Sequence, residues 1–261
     1  IGSSDVTDLL ANTAGGLIGL GLLPLLRGRL RGRTGLAMAR ACSIGTVLVE
    51  GVHKDRWDHP RPVRTILYAP TWEGYSDPGD FTSLDVVGPH LVAMLPELTG
   101  RGTRVILRPH PATGVRRPEL REICDAIYAA GAEPGADKAD ALGRADVLIA
   151  DVSGLMAEFL FTEKPSVIPV TGRLAKRHPD ASWLDHEYPW VYRWPVAGVD
   201  APDPERAGDT PGGTALRQLL DTIETSDPLQ ARRAKAARQM FRGHRSLAEA
   251  ARTFDAALDT A

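Results

Sequence analysis

Four short runs of almost uninterrupted apolar residues constrain this chain more than any other feature. They are T-I-L-Y-A at Thr65–Ala69, R-V-I-L at Arg104–Leu107, V-L-I-A at Val147–Ala150 and S-V-I-P-V at Ser166–Val170. A strand that is apolar on successive residues buries both faces, which is the habit of parallel sheets covered by helices. The intervening segments read as helices: Val86–Thr99, Pro118–Ala130, Ala139–Gly143 and Leu155–Thr162. Pro118 stands near a first turn, where its missing N–H costs least. Strands alternating with helices imply βαβ units. The expected fold is therefore α/β, a Rossmann-like parallel sheet flanked by helices.

Around this centre the pattern is looser. Val47–Gly51 reads as a further strand and Asp55–Pro62 as a polar linker. Trp183–Pro195 gathers three of the five tryptophans with Tyr188 and Tyr192, as a lid, a domain interface or core. Asp200–Gly213 reads as loop, and Thr214–Thr225, Asp227–Phe241 and Ser246–Leu258 as helices. The expected division is an apolar and basic segment over residues 1–46, followed by a nucleotide-diphosphate-binding domain over 47–261 with carboxyl-terminal helices.

Composition narrows the function classes. The chain has 261 residues, 43% hydrophobic and 25% charged, enough for a core without disulfides. A net charge of -2 argues against bulk electrostatic binding of nucleic acid. Cys42 and Cys124 are far apart, so no disulfide framework is expected and a reducing cytoplasm fits. No Cys or His pair falls at zinc-site spacing, and no metal is expected. There is no Walker A sequence, no G-x-G-x-x-G after a strand and no G-x-S-x-G elbow. The chain starts at Ile1 with a polar stretch, Gly2–Asp8, and reads as an excised domain or processed fragment.

Residues 9–26 carry no charge, which reaches the lower limit for a membrane span, but four glycines and a proline weaken that reading. A buried helix and an interfacial segment are the two alternatives. Between Leu9 and Val49 there is no acidic residue, while Arg27, Arg29, Arg31, Arg33 and Arg40 all occur. Each basic residue beside an anionic lipid surface contributes about 1 kcal/mol. Peripheral contact with the inner face of the plasma membrane, through these arginines, stands against a merely solvated charged face.

Three loops carry the candidate chemistry. The first is A-D-V-L-I-A-D-V-S-G-L-M-A-E-F, Ala145–Phe159, where a strand runs out at Asp151 and Ser153 and Gly154 open a helix. A helix start offers unpaired N–H groups to a phosphate. The dipole adds only about 0.3–1 kcal/mol, so direct bonds from Ser153 and the backbone at Gly154 must do more. Asp151, Ser153, Gly154 and Glu158 are the candidate donor-binding residues of this loop, and Glu158 could accept from ribose hydroxyls. Alternatively Asp151 or Ser153 simply caps the helix. The second is R-P-H-P, Arg108–Pro111, which would present His110 stiffly at the same strand edge as an acid, base or phosphate ligand, with Arg108 as a bidentate phosphate contact. The third is Y-A-P-T-W-E-G, Tyr68–Gly74, where Thr71 could bind phosphate and Trp72 could stack on a base or sugar, or the loop could be a plain turn.

In order and spacing, Ile66–Trp72, Leu107–Pro111 and Ala145–Gly154, with K-P-S-V-I-P at Lys164–Pro169, resemble the CDP-glycerol glycerophosphotransferase family of teichoic-acid polymerases and primases. Fainter echoes are Gly51 with Asp55 and F-R-G-H at Phe241–His244. The resemblance implies the carboxyl-terminal, donor-binding half of a GT-B-like fold. It implies transfer of a polyol phosphate from a CDP-linked donor to a cell-wall polymer or lipid-linked acceptor. The donor is itself the nucleotide-bearing substrate, so no separate cofactor is implied. By the same resemblance His110 works at the donor pyrophosphate and Ser153 and Gly154 bind its phosphates. The sequence departs from the family at Gly154, where a second serine is usual, at Glu158, where aspartate is common, and in lacking a W-H-G-type histidine loop. A GT-B sugar transferase or sugar-nucleotide epimerase using a UDP- or CMP-linked donor, and a catalytically degenerate nucleotide-binding or anchoring domain, are the alternatives.

Overall fold

The structure, a computed structural model, describes residues 61–180, 182–196 and 211–241. Six strands form one sheet: β1 (Thr65–Ala69), β2 (Arg104–Leu107), β3 (Glu133–Pro134), β4 (Val147–Ala150), β5 (Ser166–Val170) and β6 (Tyr192–Pro195). Every pairing is parallel and the order is β3-β2-β1-β4-β5-β6. This is a Rossmann-like α/β fold. Chain order grows outward in both directions from the β1/β4 pair, which makes that pair the topological switch point.

Eight helices lie in the described residues: α1 (Leu84–Gly100), α2 (Glu119–Ala129), α3 (Lys138–Arg144), α4 (Gly154–Leu160), α5 (Gly172–Arg177), α6 (Trp183–Glu187), α7 (Pro211–Thr225) and α8 (Gln230–Phe241). The period-two alternation of the strands sorts the core into two layers. Ile66, Tyr68, Val105, Leu107, Val147 and Ile149 face one side, packed with residues of α1, α2 and α7. Leu67, Ala69, Ile106, Leu148, Ala150 and Ile168 face the other, with residues of α3, α4 and α8. Both faces of β1 and β4 are thus covered, which explains why neither strand has a polar alternate. A Cβ on Gly88 would lie 2.3 Å from Ile123 Cγ2, so that glycine lets α1 and α2 approach closely.

The four central strands have the bounds read from sequence, and the helices agree to within a few residues at each end. β3, β6, α5 and α6 are additions. In the aromatic segment Trp190, Tyr192 and Trp194 are buried, with Trp194 fully so. The strand at Val47–Gly51, the apolar stretch 9–26, the five amino-terminal arginines and the helix at Ser246–Leu258 lie outside the described residues. Among the described residues no helix is long and apolar enough to cross a membrane.

The amino-terminal edge of the sheet carries structural polar groups. Asp146 accepts from Arg61 Nη2 and from the backbone N–H groups of Arg64 and Thr65 at 2.9–3.0 Å. Lys164, buried at the foot of β5, donates from Nζ to the carbonyls of Gly143 and Ala145 at 3.0 and 2.9 Å. It thereby serves the unpaired carbonyls at the end of α3.

Candidate functional site

The carboxyl ends of β2, β1 and β4 lie side by side, with Leu107 beside Tyr68 and Ala69 beside Ala150. The three loops singled out from sequence leave from these ends, so Thr71, Arg108, His110, Asp151 and Ser153 converge on one edge. In open α/β sheets ligands collect at that edge, at the switch point.

Asp151 is the hub. Its buried carboxylate accepts from the backbone N–H of Thr71 at 2.8 Å and of Ser83 at 3.2 Å. The Ser83 hydroxyl bonds it too and lies 2.9 Å from the Tyr68 hydroxyl. Asp151 therefore ties the loop after β1 to the start of α1 across the switch point. Burial pushes its carboxyl up to about 6, against the opposing pull of those hydrogen bonds.

That shift has a pH signature. A carboxyl whose folded pKa is raised binds protons more readily in the folded state than in the unfolded chain. Its contribution to stability therefore falls as pH rises between the ordinary carboxylate range and about 6. The slope approaches about 1.4 kcal/mol per pH unit when only one state is protonated. In Asp151→Asn the carbonyl oxygen can still accept and no charge is buried. Urea unfolding at a series of pH values should show wild type losing stability relative to Asp151→Asn from about pH 4 to 7. Parallel profiles would contradict this.

Glu73 is a second organiser, and the sequence reading missed it. Its carboxylate has no exposed surface and accepts from the backbone N–H groups of Gly114, Arg116 and Arg117 at 3.1, 2.8 and 3.1 Å. Burial works to raise its pKa, but a bond from its own backbone N–H together with those of Arg117, Arg116 and Gly114 outweighs it and holds the carboxyl below its usual value. Glu73 thus joins the loop after β1 to the loop after β2. Next to it Gly74 has φ +65°, and a Cβ there would lie 2.6 Å from the Gly79 carbonyl oxygen, so only glycine makes this turn. Arg116 and Arg117 brace the same corner through Asp77, Asp80, Asp85 and Glu119. Arg173 reaches from α5 to Asp85 and the Thr82 carbonyl. The bonds of Glu73 run to backbone amides some forty residues onward, and no sequence pattern marks such a partner.

His110 is exposed. Its Nδ1 accepts from the Ala112 N–H at 3.1 Å, and its ring stacks on Trp72. Partial desolvation of the ring, then the positive charge of Arg108, lowers its pKa, while Glu73 pulls the other way. Arg108 donates from Nη1 to the Gly135 carbonyl at 3.3 Å. Ser153 is the extended N-cap of α4, and its side chain makes no cap hydrogen bond. Gly154 is exposed, with open space where a Cβ would stand. Glu158 pairs with Lys138 at 3.3 Å. Arg27, Arg29, Arg31, Arg33 and Arg40 lie outside the described residues. Among those described, no cluster of His, Cys, Asp and Glu is arranged to hold a metal ion.

The edge therefore presents a histidine Nε2, a serine hydroxyl and the first-turn N–H groups of α4 above a rigid frame. These are polar groups suited to phosphate oxygens.

Residues 52–172 match the family model described as CDP-Glycerol:Poly(glycerophosphate) glycerophosphotransferase. None of the curated proteins matches the chain. Among solved structures, the wall teichoic acid polymerase TagF aligns at 16% identity over 79% of this chain and 44% of its own, with TM-score 0.39. A candidate UDP-N-acetylglucosamine 2-epimerase from Listeria monocytogenes aligns at 14% identity over 69% of this chain and 43% of its own, with TM-score 0.39. S. aureus MnaA with UDP aligns at 14% identity over 77% and 51%, with TM-score 0.36. The chain spans less than half the length of the first two structures.

Proposed function

Because residues 52–172 match the model of the CDP-glycerol:poly(glycerophosphate) glycerophosphotransferase family, we propose that the chain holds the donor site of a polyol-phosphate transferase. The supporting observation is the convergence of Thr71, His110 and Ser153 at the switch point of a sheet ordered β3-β2-β1-β4-β5-β6. A CDP-linked donor lies across the carboxyl edge, its pyrophosphate against α4. An acceptor hydroxyl attacks the β-phosphorus. The new P–O bond forms as the bond to the bridging oxygen breaks, and CMP leaves with that oxygen. The hydroxyl proton passes to solvent or to a base.

In this reading Ser153 and the N–H groups at Gly154 hold phosphate oxygens, and His110 with Arg108 stabilises charge on the transferring group, where such sites gain most. Asp151 and Glu73 keep the three loops in register. The acceptor is an anionic polymer or a lipid-linked primer, and the amino-terminal arginines keep the chain at the inner face of the plasma membrane.

The test is release of CMP from CDP-glycerol with a glycerophosphate-bearing lipid acceptor. CMP formed in proportion to extended acceptor is expected. Turnover of a UDP-sugar instead would assign the site to a sugar transferase or epimerase. Binding without turnover of either would make it a nucleotide-binding domain.

A further inference from the structure

Trp72 does not offer its indole as a bare shelf. Its ring lies against the His110 imidazole, with centroids 5.7 Å apart and planes 17° from parallel. Tyr75 stands perpendicular to the indole at 4.6 Å. Stacked and edge-on pairs at these separations are favourable aromatic geometries. A second constraint acts in the plane of the imidazole, where the Ala112 N–H donates to Nδ1 at 3.1 Å. A neutral imidazole carries one N–H, and the nitrogen that accepts cannot hold it. The hydrogen bond therefore assigns the proton to Nε2.

The loop that supplies Ala112 is itself anchored. Glu73, the residue after Trp72, takes the amides of Gly114, Arg116 and Arg117. Two adjacent residues thus grip His110 from two directions. Trp72 holds the face of the ring, and Glu73 holds the loop that fixes its tautomer.

We propose that Trp72 is a positioning residue for His110, which with Glu73 and the Ala112 amide fixes the imidazole so that Nε2–H meets a phosphate oxygen of the nucleotide-linked donor. The destination of that N–H rests on the donor-site reading above, whereas the clamp belongs to the free chain and needs no nucleotide. This role takes the place of the base or sugar stacking expected of Trp72 from sequence.

Two measurements test it. Ring-nitrogen NMR of the free wild-type chain, with His110 assigned by its loss in His110→Gln, should show the Nε2–H tautomer and ring protons shifted upfield by the indole. Trp72→Phe should keep most of that shift and Trp72→Ala should abolish it. An Nδ1–H tautomer in wild type, or His110 protons unmoved in Trp72→Ala, overturns the clamp whether or not a nucleotide binds. In steady-state transfer, Trp72→Ala should lower kcat about 10²-fold with donor KM little changed, and Trp72→Phe should restore most of it. A raised KM with kcat unchanged is the signature of a base-stacking surface and overturns the proposal. The expected NMR result in a chain that binds no nucleotide would leave the clamp standing and remove the donor-site reading.

Discussion

Arg233→Met is expected to destabilise the chain by about 3–5 kcal/mol, the largest stability effect of any single substitution considered. The guanidinium has no exposed surface and neither does the side chain of Asp227. Arg233 Nη1 donates to Asp227 Oδ1 at 2.9 Å, and Nη2 donates to Oδ2. Its Nε donates to the Glu163 carbonyl at 3.0 Å, and the Tyr192 hydroxyl donates to Asp227 Oδ1 at 2.8 Å. Burial, then the bond to Asp227, raises the Tyr192 pKa. This network docks α8 to the turn before β5 and to the start of β6. Removing one partner leaves the other charge buried without its counter-charge, and that penalty exceeds what the pair itself contributes. Methionine keeps the bulk and the helix propensity, so the loss reports charge rather than a cavity.

Asp227 has φ +35°, a region that asparagine tolerates better than most residues. Arg233→Met combined with Asp227→Asn removes both charges and should recover most of the lost stability. Urea unfolding of the wild type, both singles and the double supplies the full cycle. A double variant no better than Arg233→Met would show that the cost lies in packing.

His110→Ala is expected to lower transfer about 10²–10³-fold, the range for losing one hydrogen-bond donor aimed at developing charge. Its stability should change by no more than about 1 kcal/mol, because the ring is exposed and loses only its stack on Trp72 and one hydrogen bond. His110→Gln separates two roles. A glutamine amide N–H can reach toward the position of Nε2 and stabilise charge, but it cannot transfer a proton at neutral pH. Partial activity in His110→Gln supports charge stabilisation, and equal loss in both variants assigns a proton-transfer role. Unchanged turnover in His110→Ala would remove the histidine from the reaction.

The sequence disclosed the frame better than its wiring. β1, β2, β4 and β5 were legible because buried parallel strands write their position as unbroken apolar runs. β6 was not, since Arg193 interrupts its apolar run; the arginine is half-buried on a strand at the sheet edge. β3 is two residues long at the other edge, too short for any periodicity. At the candidate site, the placing of Thr71, His110 and Ser153 at one sheet edge was legible because each follows a readable strand. Asp151 was legible at the same strand end, but nothing in sequence shows that its carboxylate is turned to the amides of Thr71 and Ser83. Lys164 stood among residues shared with a transferase family, yet it lies at the opposite end of the strands, closing α3.

A nucleotide donor at the β1/β4 switch point is most directly tested by calorimetric titration of CDP and UDP into wild type and into His110→Ala combined with Ser153→Ala. Saturable heat with CDP in the wild type is expected, lost in the double variant while its thermal unfolding is unchanged. No heat from either nucleotide, or equal binding in the double variant, would contradict a donor pyrophosphate bound by His110 and Ser153.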